Sequence, residues 1–155
     1  MLVYWPDHEN ERLWIFMPKV ASTSMKMAVT KSSTVLKEEA FKYKNYYTVA
    51  FVRHPYDRIV SALYSNLFDG DSFDERVDKW ITRHRKVEWM DMHIRPQSWF
   101  LEGFNVNFLG QFHTLAQDWA YLQNQLNIPN LEYQRKGLSR PKRWQDIEFD
   151  WDSLN

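Results

Sequence analysis

An α/β layer fold built on a small, mostly parallel sheet is predicted by three observations. Short apolar runs of strand length alternate with amphipathic stretches of helical period along the chain. Two of the runs, Leu13–Met17 and Thr48–Val52, are apolar throughout, the pattern of strands covered on both faces. Each of these two is followed by a short loop bearing a cation and then by a helix, which is how parallel crossover units begin.

The elements follow in order. Met1–Trp5 is expected to be a short edge strand before the charged turn Asp7–Arg12. Leu13–Met17 is a buried strand, and Ser22 to about Ser33 is the helix after it. Thr48–Val52 is the second buried strand. The helix from Pro55 has proline in its first turn and sets Ile59, Val60, Leu63 and Leu67 at helical spacing. Ser72-Phe73-Asp74-Glu75 is a capping-box signature, after which Phe73, Val77, Trp80 and Ile81 line one face. Phe108–Phe112 reads as a third strand. Thr114-Leu115-Ala116-Gln117 opens a helix carrying Leu115, Trp119, Leu122 and Leu126, with Pro129 as its stop, and Leu131–Gln134 reads as a further strand.

The chain of 155 residues is expected to form one domain over residues 1–155, with 44% hydrophobic and 17% aromatic residues to fill a core. Lysine plus arginine equals aspartate plus glutamate at 20 each, so bulk charge gives no reason to expect a nucleic-acid or membrane partner. Without cysteine, thiolate catalysis, disulfides and cysteine-ligated zinc are excluded. The histidines show no metal-ligand spacing. No apolar run approaches the roughly 20 residues of a membrane span, and no signal-peptide core opens the chain. A cytoplasmic protein is expected.

Two segments carry chemistry. In Ala50-Phe51-Val52-Arg53-His54-Pro55-Tyr56-Asp57-Arg58-Ile59-Val60-Ser61, a strand ends in Arg53 and a helix starts at Pro55. A cation therefore stands beside a helix N-terminus, where backbone N–H groups and the helix dipole already favour an anion, and the Ser61 hydroxyl can come round to it. Upstream, Pro18-Lys19-Val20-Ala21-Ser22-Thr23-Ser24-Met25-Lys26 repeats the arrangement. Two such loops on one small chain imply a ligand with phosphate groups at both ends. The upstream loop has no glycine, unlike G-x-x-x-x-G-K-[ST] nucleotide loops, and no apolar strand ending in aspartate follows to hold magnesium; a small kinase is disfavoured on both counts.

These segments resemble those of the sulfotransferases that use 3′-phosphoadenosine-5′-phosphosulfate (PAPS), most closely the carbohydrate-type and the bacterial and phage branch. Pro18-Lys19-Val20-Ala21-Ser22-Thr23-Ser24 is similar to the family's P-K-x-[AG]-S-T-S loop, which cradles the 5′-phosphosulfate. Arg53 to Ser61 is similar to its R-x-P-x-x-R-x-x-S segment, which holds the 3′-phosphate. His93-Ile94-Arg95-Pro96-Gln97 resembles a third, H-x-R-P-Q segment. The resemblance spans Leu13 to about Ile128 and implies a three-layer, P-loop-like α/β fold, PAPS as donor with no metal required, and an acceptor bearing a free hydroxyl, a carbohydrate first among the candidates. The alternative reading is a non-catalytic or degenerate module of the same fold that binds PAPS or its desulfated product.

On that resemblance, backbone N–H groups from Val20 to Met25 hold the phosphosulfate, Ser22, Thr23 and Ser24 add hydroxyl donors, and Lys19 follows the charge onto the leaving phosphate. Against this stands the reading of a serine-rich helix cap with a solvated lysine. Arg53 and Ser61 are the 3′-phosphate candidates, whereas Arg58 reads as a structural cation pairing with Asp57 or another carboxylate. Arg135-Lys136-Gly137 resembles the family's basic R-K-G segment that closes over the 3′-phosphate, or else is a solvated cluster. The proton acceptor has two sources. The 33 residues between Lys19 and Arg53 contain no histidine, and Glu38 and Glu39 are their only carboxylates. His93 is the other candidate, since imidazole titrates near neutrality. Arg95 and Gln97 can bond donor or acceptor, or Pro96-Gln97 can simply shape a turn. Tyr56, Tyr64, Trp80, Trp119, Trp99 and Phe100 read as packing residues.

Overall fold

The computed structural model describes residues 3–30, 33–65, 70–84, 92–132 and 144–147. They group into two compact units: residues 1–53 with 96–136, and residues 54–95 with 137–155.

The first unit holds the four-stranded sheet. Strands β1 (Tyr4–Asp7), β2 (Arg12–Ile15), β3 (Tyr47–Val52) and β4 (Val106–Gln111) lie in that spatial order. β1 runs antiparallel to β2, with Trp5 opposite Trp14 and Asp7 opposite Arg12; β2, β3 and β4 are parallel. The mostly parallel α/β sheet predicted from the apolar runs is therefore present. Helix α1 (Ser22–Val29) follows β2, and the short α2 (Lys37–Ala40) continues into a 3-10 turn at Phe41–Tyr43. Helix α5 (Gln97–Leu101) precedes β4, and α6 (Leu115–Leu126) follows it after a 3-10 turn at Phe112–Thr114.

Alternation along the strands sends Trp14, Val49 and Phe51 to one face of the sheet and Leu13, Ile15 and Ala50 to the other. Trp119 of α6 covers the first face, its ring 5.8 Å from Trp14 and 6.2 Å from Phe51. On the opposite face Tyr4 donates its hydroxyl to the Phe100 carbonyl of α5 at 2.9 Å and stacks on Phe104, which stacks on Phe41. Thus helices lie on both faces. Gly110 of β4 sits directly under Phe51: a β-carbon there would fall 2.3 Å from the ring.

The boundaries differ from expectation for local reasons. β1 begins and ends later than Met1–Trp5, because Pro6 is tolerated on an edge strand, where its missing N–H takes no bond from the ladder. β2 stops at Ile15; Phe16 and Met17 stay buried but leave the ladder as the chain turns toward the next loop, with the Phe16 N–H bonded to the Val3 carbonyl at 2.7 Å. α1 ends at Val29, with Thr30 extended, and residues 31–32 of the predicted helix lie outside the described residues. α6 ends at Leu126 on a left-handed Asn127, ahead of Pro129. Its N-terminus is organised by Asp118 rather than Gln117, the carboxylate accepting from the Gln111 N–H at 2.7 Å and the Thr114 hydroxyl at 2.8 Å. Leu131 and Glu132 form no strand, and the rest of that predicted strand lies outside the described residues.

In the second unit, α3 (Pro55–Leu63) and α4 (Phe73–His84) pack Val60, Leu63, Phe73 and Val77 into a small core, edged by Tyr56, Ile59, Tyr64, Trp80, Trp144 and Ile147. Ile81, expected on the same apolar face, is exposed. Half of the capping box forms: Ser72 Oγ accepts from the Glu75 N–H at 3.2 Å, while the Glu75 carboxylate accepts from the N–H of Asp71, one residue before the cap, at 2.8 Å. A 3-10 turn at Trp144–Asp146 is tied to α3 by the Trp144 N–H, which donates to Asp57 Oδ1 at 2.8 Å. No helix of the described residues is long and apolar enough to cross a membrane.

Candidate anion-binding site

The loop from β2 to α1 is pinned by apolar residues and turned by backbone strain. Met17, Pro18 and Val20 are buried while Lys19 and Ala21 are half-exposed, so alternate residues anchor the loop and the ones between face outward. Lys19 and Ala21 hold φ of 67° and 53°, a conformation that costs a residue with a side chain on the order of 1–2 kcal/mol. Left-handed positions of this kind are usually filled by glycine, and here residues with side chains hold them. α1 then starts at Ser22 with no side-chain cap and no acidic residue in its first turn, which leaves its first N–H groups and its dipole available to an anion. Ser22 is half-exposed, Thr23 exposed and Ser24 buried, and Met25 is bonded back to the Ala21 carbonyl at 3.1 Å. Lys26, one turn further, lies over the Phe16 ring with its ammonium 5.6 Å from the centroid, and burial lowers its pKa.

Arg53 is the first residue beyond β3. Its Nη1 donates to the Lys19 carbonyl at 3.3 Å, and its guanidinium lies over the Phe112 ring at 4.2 Å. Lys19 follows β2, Arg53 follows β3 and Phe112 follows β4, so one side chain touches the segments at the carboxyl ends of all three parallel strands. That edge is where open parallel sheets take their ligands. Sequence reading places Lys19 and Arg53 in separate loops; the structure brings them together.

Gln97 also joins this group. Its Oε1 accepts from the Arg53 N–H at 2.9 Å and its Nε2 donates to the Arg53 carbonyl at 2.7 Å. Both ends of the amide are engaged by Arg53, which corrects the expectation that Gln97 bonds donor or acceptor. Pro96 and Gln97 do not shape a turn either: Pro96 is the N-cap of α5 and Gln97 its first residue. Neither Phe112 nor the grip of Gln97 on Arg53 was found by sequence reading, because no local pattern links residues so far apart in the chain.

Glu38 and Glu39 are exposed on α2. Burial, and secondarily the charge of Glu38, raise the Tyr4 phenol above its ordinary range. Tyr4 stands opposite Ile15, the last residue of β2. Among the described residues neither glutamate is hydrogen-bonded or ion-paired to Lys19 or Arg53.

Ser61 and His93 belong to the second unit. Ser61 is half-buried in α3, and His93 is half-buried with its Nδ1 out of solvent. Arg58 is 3% exposed and donates to the carbonyls of Arg95 at 2.6 Å and Met92 at 3.1 Å, on either side of His93. It is thus structural as expected, but its partners are main-chain carbonyls instead of Asp57, whose carboxylate accepts from Trp144. Burial pushes the Arg58 guanidinium down to about 10, so it remains charged at neutral pH. Arg135, Lys136 and Gly137 lie outside the described residues.

A glycine-free loop with two left-handed residues, a helix start without a side-chain cap and an arginine meet at one sheet edge. A model of the sulfotransferase family matches residues 17–146, from the end of the buried run after β2 to the turn at Trp144. The chain belongs to the sulfotransferase family, and sulfuryl transfer is its general chemistry. Neither the curated proteins nor the solved structures contain a match to it.

Proposed function

We propose that residues 1–155 form a single cytoplasmic sulfotransferase domain that moves the sulfuryl group of PAPS to a carbohydrate hydroxyl without a metal ion. The observation that supports the reading is the bond from Arg53 to the Lys19 backbone, which brings the loop after β2 and the residue after β3 together at one sheet edge. A donor with phosphate at both ends needs two such features, and family membership supplies the reaction class.

In the proposed reaction the bond from sulfur to the bridging phosphate oxygen breaks and a bond from sulfur to the acceptor oxygen forms. The acceptor proton goes to a protein base, and adenosine 3′,5′-bisphosphate leaves with the electron pair of the broken bond. The N–H groups from Val20 to Met25 and the hydroxyls of Ser22, Thr23 and Ser24 hold the 5′ end. The Lys19 ammonium neutralises charge appearing on the bridging oxygen. Arg53 and Ser61 hold the 3′-phosphate, and Arg135, Lys136 and Gly137 complete that end. The base is one of Glu38, Glu39 and His93.

Turnover of PAPS against a panel of saccharides tests this reading. Acceptor-dependent release of adenosine 3′,5′-bisphosphate is the expected result; tight binding of that product with no transfer to any hydroxyl would favour a non-catalytic module.

A further inference from the structure

The contact between Gln97 and Arg53 has the form of strand pairing made by a single side chain. In an antiparallel ladder, a bonded pair of residues exchanges two N–H to carbonyl bonds. Here the carboxamide of Gln97 takes the place of the second strand, accepting from the Arg53 N–H and donating to the Arg53 carbonyl at 2.9 Å and 2.7 Å. Arg53 lies one residue beyond the last rung of β3, where Val52 is still in register with Gln111. With both backbone groups of Arg53 fixed, its side chain leaves the strand end in a defined direction, toward the Lys19 carbonyl and over Phe112.

The clamp is itself held. Gln97 is the first residue of α5, and the Trp99 carbonyl two residues on accepts from Lys37 Nζ at 2.5 Å. The same ammonium lies 4.6 Å from the centroid of the Trp99 ring and 3.7 Å from the Glu102 carboxylate. A buried lysine on α2 thus fixes the short helix that presents Gln97.

We propose that Gln97 is a positioning residue for the 3′-phosphate: it touches no ligand and sets donor affinity by holding the Arg53 backbone. This inference rests on the proposed reading of Arg53 as the 3′-phosphate ligand.

The test is calorimetric binding of adenosine 3′,5′-bisphosphate and of adenosine 5′-phosphosulfate, which lacks the 3′-phosphate, to the parent, Gln97→Ala, Arg53→Ala and the double variant. Gln97→Ala is expected to weaken the bisphosphate by about three- to tenfold, the usual scale of hydrogen bonds lost in a polar setting, and to leave the phosphosulfate unchanged. In the Arg53→Ala background the Gln97 substitution should add nothing for the bisphosphate. Thermal unfolding identifies a variant that fails to fold; in that case Gln97→Glu, which keeps the acceptor oxygen and loses the donor, is read in the same way. Equal losses for both ligands, no loss, or a full additional loss in the double variant would overturn the inference while a selective loss in Arg53→Ala kept the 3′-phosphate reading. A parent that does not bind the bisphosphate overturns both.

Discussion

Arg53 Nη1 donates to the main-chain carbonyl of Lys19 at 3.3 Å, so the cation of one anion loop holds the backbone of the other. The consequence is mutual. Lys19 holds a φ of 67°, Gln97 bonds both backbone groups of Arg53, and the Arg53 guanidinium lies over Phe112. The two motifs are one structure at the sheet edge.

Substituting Arg53 by alanine should therefore fall mainly on donor affinity. A charge-assisted contact to phosphate is worth roughly 1.5–3 kcal/mol, so PAPS binding is expected to weaken about ten- to a hundredfold. Adenosine 5′-phosphosulfate should bind nearly as before. Ser61→Ala should act in the same direction and more mildly, as a single neutral hydrogen bond does. Parallel titrations of the two donors decide it; equal losses would remove Arg53 and Ser61 from the 3′-phosphate.

Lys19→Ala should show the opposite bias. Lys19 is assigned to charge that develops as the sulfur–oxygen bond breaks, so kcat should drop while the affinity for the desulfated product changes little. Unchanged single-turnover rates would withdraw the assignment.

Ala21 tests the strained cradle. At φ 53° glycine is at ease, alanine is strained and a β-branched residue more so. Ala21→Gly should retain product binding, whereas Ala21→Val should lose both binding and stability, the latter by about 1–3 kcal/mol. Denaturant unfolding together with product titration reads both effects, and a valine variant equal to the parent would show that the left-handed turn is dispensable.

Gly110→Ala should destabilise the sheet. The new methyl would lie 2.3 Å from the Phe51 ring, and overpacking of this kind costs roughly 1–3 kcal/mol. A thermal scan should show a lower Tm, restored in part by adding Phe51→Leu. An unaltered Tm would mean that Phe51 moves aside freely.

Where the sequence was informative, the reason lay in continuous or periodic patterns. The runs Leu13–Met17 and, after the opening Thr48, Val49–Val52 are continuously apolar as strands covered on both faces are, and the helices carrying Val60, Val77 and Trp119 repeat with the helical period. The turn from Pro18 into a helix at Ser22 was legible because it follows directly on the buried run. Helices α2 and α5, of four and five residues, are too short to show a period. The edge strand was expected at Met1–Trp5, and its edge position explains why β1 runs on through Pro6. The clamp of Gln97 on Arg53 and the clasp of Arg58 around His93 join side chains to distant main-chain atoms, contacts that no spacing encodes.

The central claim, a donor held by phosphates at both ends without metal, is tested most directly by calorimetric titration of the parent protein with adenosine 3′,5′-bisphosphate and with ATP, each in chelator and in magnesium. The account predicts binding of the bisphosphate in chelator, unaltered by magnesium and far tighter than that of ATP. Equal affinity for ATP, or binding only in the presence of magnesium, would contradict it.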